Sequence, residues 1–321
     1  MTVSSSSIAS RRGTDTRTPD FFIVGHHKCG TTALYETLRA HPQIYMPSLK
    51  EPRYFASDLR SQFEPVRSGR LPETLEQYLA LFDEAGEGQL KGEASPSYLR
   101  SRAAARAIAE LQPAARIIAI LREPVSFVRS LHLQMLQDHV ETETDLRRAI
   151  AAEERIIDGQ RVGRYTDHLD YVEQLRRYHA VFPPEQVLVL IYEDFRADNR
   201  ATLLRVLRFL GVDDDLAIQT VEANPSVRVR SAQLHLLLAR LYGGRGRVAS
   251  SLKRVVQTVT PRELRRAALQ SLRRALVYGE PRQADEELTL ELRRRFKPEV
   301  VALSAYLDRD LVSQWGYRDV G

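Results

Sequence analysis

Phe21-Phe22-Ile23-Val24-Gly25 is a short apolar run ending in glycine; a polar turn follows, and then Ala33, Leu34, Thr37 and Leu38 fall at helical spacing. Strand, glycine-containing loop, helix is the opening of a parallel α/β unit. The alternation continues. An extended run, Gln43 to Met46, precedes helical patterns at about 73–84 and 101–112, with a strand expected at Gln89 to Ala94 between them. Arg116 to Leu121 reads as the best buried strand, and Pro124 stands at the first turn of the helix after it. Helices are expected over 145–157 and 167–182, a strand over Val187 to Tyr192, and a helix over 196–210 closed by Gly211. The fold class is therefore α/β: a central parallel sheet flanked by helices, with a helical C-terminal part over about 286–315.

With 321 residues the chain can bury roughly three quarters of its unfolded surface, so no covalent staple is needed. The lone cysteine, Cys29, excludes an internal disulfide and a multi-cysteine zinc site. Residues 1–19 are rich in Ser, Thr and Arg without the apolar core of a secretory signal, so a disordered N-terminal arm is expected there and a single domain over 20–321. No apolar run approaches 18 residues, and the expected location is the cytoplasm. The net charge of +5 is concentrated: 240–284 holds eleven Arg or Lys against two acids. Within it Leu264, Ala268, Leu272, Ala275 and Leu276 share one helical face, which reads as a helix packed on the body, a lid over an anionic substrate, or a contact with a membrane surface or lipid-linked substrate. Elsewhere arginine is dispersed without aromatic interleaving, so no nucleic acid partner is expected.

Between the first strand and first helix lies Gly25-His26-His27-Lys28-Cys29-Gly30-Thr31-Thr32. Backbone N–H groups and the positive end of a helix dipole make such a loop an anion site. The glycine spacing matches the nucleoside-triphosphate loop G-x-x-x-x-G-K-[ST], but Thr31 stands where the lysine belongs and the cation lies three residues upstream, at Lys28. ATPase or GTPase chemistry is disfavoured. One positive charge and the hydroxyls of Thr31 and Thr32 suit a 5′-phosphate. His26 and His27 are adjacent, so their side chains do not converge on one atom, and no carboxylate or cysteine sits at ligand spacing; no metal site is expected.

These residues, with Leu38, His41 and Pro42, resemble the 5′-phosphosulfate loop of sulfotransferases that use 3′-phosphoadenylyl sulfate (PAPS), nearest the branch of the heparan-sulfate N-deacetylase/N-sulfotransferase domain. Four more segments agree in order. Lys50-Glu51-Pro52-Arg53-Tyr54-Phe55 resembles that branch's E-x-x-F-F element, and Gly92-Glu93-Ala94-Ser95-Pro96-Ser97-Tyr98 its E-K-S-P-x-Y element. Ile117 to Ser130 resembles the 3′-phosphate site, and Arg293 to Trp315 the closing helices. The resemblance implies the P-loop-like sulfotransferase fold and transfer of a sulfonate group from PAPS, the co-substrate, to a hydroxyl, or less favourably an amine, of a small-molecule, glycolipid or carbohydrate acceptor, without a metal.

Site assignments follow. Lys28 is the expected catalytic cation on the leaving oxygen, and Lys28, Cys29, Gly30, Thr31 and Thr32 form the cofactor-binding loop. Glu51, in a Pro-stiffened loop after the second strand, is the expected base; the alternative is a surface glutamate paired with Lys50 or Arg53. Arg122 and Ser130 combine a fork-shaped cation with a hydroxyl able to clamp a phosphate, which the resemblance makes the 3′-phosphate, against the alternative of a structural ion pair of Arg122 with Glu123 or another acid. Arg228 and Arg230, in Asn-Pro-Ser-Val-Arg-Val-Arg-Ser, are a second candidate contact. Ala94 and Arg53 replace the Lys and His of the heparan branch, and this points away from a heparan-like polymer as acceptor. A P-loop-type small-molecule kinase and a non-catalytic binder of anionic lipid or nucleic acid are the competing readings; magnesium-dependent ATP binding or strongly salt-dependent association would mark them.

Overall fold

The computed structural model describes residues 16–60, 71–138, 140–152, 155–157, 160–162, 165–215, 228–229, 278–279 and 285–321. Most of the expected arm over 1–19 and of the basic segment over 240–284, the side chain of Arg228 and the whole of Arg230 lie outside the described residues. Two compact units are present: Met1–Arg122 with Glu173–Ala223, and Glu123–Val172 with Asn224–Gly321.

The first unit is built on a five-stranded sheet, β1 (Phe21–Ile23), β2 (Ile44–Tyr45), β3 (Leu90–Ala94), β4 (Arg116–Leu121) and β7 (Val187–Ile191), in the order β2-β3-β1-β4-β7. Every pairing is parallel. β1 and all of β4 but Arg116 are buried, as expected for strands covered on both faces. The chain leaves β1 through α1 (Thr31–Arg39) toward one edge and leaves β4 toward the other, so the carboxyl ends of β1 and β4 form the switch point where α/β sheets bind ligands. α3 (Ala104–Leu111), α7 (Tyr192–Ala197) and α8 (Asn199–Leu210) complete the helices that follow strands here. Gly211, at φ 69°, closes α8 in the left-handed region, as its position predicts.

At that switch point the backbones are in close contact. Val24 N–H donates to Ile118 O at 2.9 Å, and a Cβ on Gly25 would lie 2.6 Å from both the N and the O of Ile120. Only glycine fits.

In the second unit α4 (Pro124–Gln137) packs with α9 (Glu286–Tyr306), whose buried stripe is Leu288, Leu292, Phe296, Val300 and Leu303. The start of α9 is fixed by Asp285, which caps Leu288 N–H, and by Arg147 of α5 (Leu146–Ala151), 2.6 Å from Glu291 and 3.4 Å from Glu287.

Two sequence expectations are corrected. The helix over 145–157 stops at Ala151, and Arg155–Ile157 pairs antiparallel with Gln160–Val162 as β5 and β6. β-Branched Ile156-Ile157 followed by Asp158-Gly159 is a hairpin signal that outweighs helical spacing. The helix over 196–210 is two helices, because Asp198 leaves helical dihedrals and its carboxylate caps Ala201 N–H at 2.8 Å. The helix expected over 167–182 is α6, Tyr171–His179. Among the described residues no helix is long and apolar enough to cross a membrane.

Gly25→Ala should force β1 and β4 apart at the most buried point of the sheet. The expected loss is about 2–3 kcal/mol, read as a fall in Tm of about 3–5 °C by calorimetry.

Candidate active site

The loop between β1 and α1 rises from the switch point just described. Lys28 is half-buried and sits at φ 64°, and Gly30, the residue before α1, at φ 85°. A non-glycine residue in this region costs about 1–3 kcal/mol, and such strain concentrates at functional sites. Gly30 also has a packing reason: a Cβ there would meet the Phe195 ring at 2.9 Å and the Tyr192 ring at 3.3 Å, both from α7. No side chain caps α1, so its first N–H groups, on Thr31 and Thr32, remain available to an anion.

Arg122, one residue past β4, reaches this loop from the neighbouring strand. Its Nη1 donates to Lys28 O at 2.8 Å, and its guanidinium lies 4.5 Å above the centre of the Tyr192 ring. The two cations singled out in the sequence are thus joined, 94 residues apart, through the carbonyl of the strained residue. The carboxylate of Glu123 caps α4 through Val125 N–H and Ser126 N–H and accepts from Tyr317 Oη at 2.6 Å. Ser130 stands on α4 in the second unit, buried, and its Oγ has no hydrogen-bond partner among the described residues.

Cys29 is buried, its thiol 3.6 Å from His27 O, and burial pushes its pKa up to about 12. It is a loop filler, not a nucleophile. His26 is buried beside Gln174 of α6, its Nε2 2.7 Å from Gln174 Oε1; burial lowers its pKa to about 3, so it stays neutral. His27 Nδ1 is 4.0 Å from Glu51 Oε1, and desolvation likewise favours its neutral form. Among the described residues no group of three or more His, Cys, Asp or Glu could hold a metal ion.

Glu51 is the second strained position. It sits at φ 60° and Arg53 at φ 55°, in the loop after β2. The Glu51 side chain is 13% exposed; Oε1 accepts from Lys50 Nζ at 2.8 Å and Oε2 from Arg53 Nη2. Burial works to raise its pKa, but His27, Lys50 and Arg53 together hold it well below the usual carboxylate range. The pairing with Lys50 and Arg53 is present, but on a carboxylate that is buried beside the anion loop and not at the surface.

Sequence reasoning gave no role to Tyr192, Gln174 or Glu93. Tyr192 follows directly on β7, at the carboxyl edge of the sheet, which is the one signal that marks it. Glu93 is fully buried in β3, with Tyr78 Oη donating to its Oε2 at 3.1 Å. Burial pushes its pKa up to about 7, against the pull of the Ser95, Tyr98 and Tyr78 hydroxyls, and the charge of Glu51 raises it further. Below the unfolded pKa both states are protonated, and above it the folded state alone keeps the proton. Stability should therefore fall by on the order of 3 kcal/mol as pH rises from about 4.5 to about 7, then level off. Chemical denaturation at pH 5 and pH 8 should show this drop in the natural protein and lose it in Glu93→Gln.

Residues 19–215 match the family described as the sulfotransferase family. The chain is 30% identical over 200 residues to human heparan sulfate glucosamine 3-O-sulfotransferase 6, covering 61% of this chain and 53% of that protein. It is 28% identical over 217 residues to human bifunctional heparan sulfate N-deacetylase/N-sulfotransferase 3, covering 64% and 24%. The chain thus spans about half or less of the length of these curated relatives. Among solved structures, a sulfotransferase from Alicyclobacillus acidocaldarius superposes with a TM-score of 0.65 at 27% identity, covering 92% of this chain and 98% of that one. The match begins two residues before β1 and takes in the anion loop, Glu51, Glu93 and Arg122, and on it the chain belongs to the sulfotransferase family.

Proposed function

We propose that this protein transfers a sulfonate group from PAPS to a hydroxyl of a small-molecule or carbohydrate acceptor. The observation that carries the reading is the anion loop itself: a strained Lys28 in place of the triphosphate-gripping lysine, its carbonyl held by Arg122, ahead of a helix start that no side chain caps. Those groups fit a nucleotide bearing a 5′-phosphosulfate. PAPS, when bound, supplies an activated sulfonate on a good leaving group.

The chain's own residues do the rest. Lys28 places a positive charge at the leaving oxygen, where negative charge develops, and the N–H groups and hydroxyls of Thr31 and Thr32, with Gly30 and the Cys29 backbone, hold the phosphate. Arg122 and Ser130 keep the assignment to the 3′-phosphate that the resemblance implies; each carries donors for it. Arg228 and Arg230 remain candidates for the same group. Glu51, kept ionised by its cationic neighbours, accepts the hydrogen bond of the acceptor hydroxyl and takes its proton. Because the same neighbours make it a weak base, the proton moves late, when the oxygen already carries the incoming sulfonate. The general class of acceptor follows the carbohydrate sulfotransferases this chain resembles, and the Ala94 and Arg53 departures favour a molecule smaller than a heparan chain.

Calorimetric titration tests the reading. Adenosine 3′,5′-bisphosphate should bind without magnesium at least tenfold more tightly than ATP, a DNA duplex should not bind, and Lys28→Ala should weaken the bisphosphate at least tenfold. Equal affinity for ATP, or a magnesium requirement, would reject it. Release of the bisphosphate from PAPS in the presence of a panel of phenols, alcohols and sugars then reports turnover. Glu51→Gln should lower kcat by about 10²–10⁴ while bisphosphate affinity changes less than threefold; an unchanged kcat removes Glu51 as the base.

A further inference from the structure

The loop that carries Glu51 is strained twice, at Glu51 and at Arg53, and something must hold it. Three backbone N–H groups do so, and all three point to the end of β3 and the turn beyond it. Glu51 N–H donates to Ala94 O at 3.1 Å, Arg53 N–H to Ser95 Oγ at 3.1 Å, and Phe55 N–H to Tyr98 Oη at 3.3 Å. Phe55 also meets Tyr78 and Tyr98 edge-on, at 5.0 and 5.8 Å between ring centres, and Tyr54 stacks on Tyr78 at 4.9 Å.

Tyr78, the ring against which Tyr54 and Phe55 pack, donates its hydroxyl to Glu93 Oε2 at 3.1 Å, and the other carboxyl oxygen, Oε1, has no hydrogen-bond partner among the described residues. An acidic side chain buried among aromatic rings is an expensive choice for a strand interior unless it organises polar neighbours. From this arrangement we propose that Glu93 is a positioning residue: by holding the Tyr78 hydroxyl it fixes the ring on which Tyr54 and Phe55 pack, and so locks the 51–55 loop and sets the carboxylate of Glu51 for proton transfer. This rests on the reading of Glu51 as the base.

The test compares the full-length natural protein with Glu93→Met, which keeps the volume and removes the polar contacts, Glu93→Gln, which still accepts from Tyr78, and Ser95→Ala, which removes one loop anchor. Hydrogen exchange needs no acceptor. Glu93→Met should speed exchange of residues 51–55 at least tenfold and leave residues 25–32 and the affinity for adenosine 3′,5′-bisphosphate within twofold. Ser95→Ala should do the same to a lesser degree, about threefold, and Glu93→Gln should stay near the natural protein. Turnover on the acceptor panel should drop at least tenfold in Glu93→Met, with less than twofold further loss when that change is added to Glu51→Gln.

Unchanged exchange at 51–55 in both Glu93→Met and Ser95→Ala overturns the proposal, as does a rise spread evenly over the sheet or a full additive loss in the double variant. Should Glu93→Met not fold, Tyr78→Phe, which keeps the ring and removes its hydrogen bond to Glu93, decides: no local loosening at 51–55 rejects the proposal. If Glu51→Gln turns over normally, the base assignment falls and this proposal with it; if Glu51→Gln is slow and Glu93→Met is not, this proposal falls alone.

Discussion

Everything at the site depends on how closely β1 and β4 approach at their carboxyl ends. Gly25 lies against the backbone of Ile120, and from that contact two chains diverge, one into the Lys28 loop and one through Arg122. Parallel pairing makes this possible, because both strands deliver their loops to the same edge. A side chain at position 25 would separate the pieces that Arg122 then joins by its bond to Lys28 O.

Around this junction the molecule stores strain and charge together. Three of the four non-glycine residues at positive φ among the described residues, Lys28, Glu51 and Arg53, lie in two loops at this edge of the sheet. Each is charged, and the strain places full charges where a relaxed loop would turn them elsewhere. The two buried carboxyls here are pushed in opposite directions, Glu51 down by its basic neighbours, foremost the Lys50 and Arg53 cations, and Glu93 up by burial, so that one carries charge and the other can shed it near neutrality. Splitting a carboxyl pair in this way assigns different tasks to chemically identical groups.

How much of this was legible depends on range. The strands were readable because β1 is apolar throughout and β4 is apolar after Arg116, and the anion loop because its glycines and hydroxyls are contiguous in sequence. Lys28, Arg122 and Glu51 could be chosen from local pattern and resemblance. What pattern could not carry were links between distant residues: Arg122 to Lys28, His26 to Gln174 across 148 residues, Phe55 to Tyr98 across 43. Positive φ at Lys28, Glu51 and Arg53 was equally hidden, since glycine is the residue that announces such a conformation. Glu93 shows no task in its local sequence, because the Tyr78 hydroxyl that it holds reaches it only in the fold.

The burial of Cys29 has a practical consequence for anyone handling this protein. The sole sulfhydryl is shut inside the nucleotide loop and holds its proton far into the alkaline range. Maleimides, iodoacetamide and mild peroxide should find no purchase on the native chain, so a cysteine engineered anywhere on the exterior becomes a unique attachment point for a fluorophore or a tether, with no need to remove the natural one first.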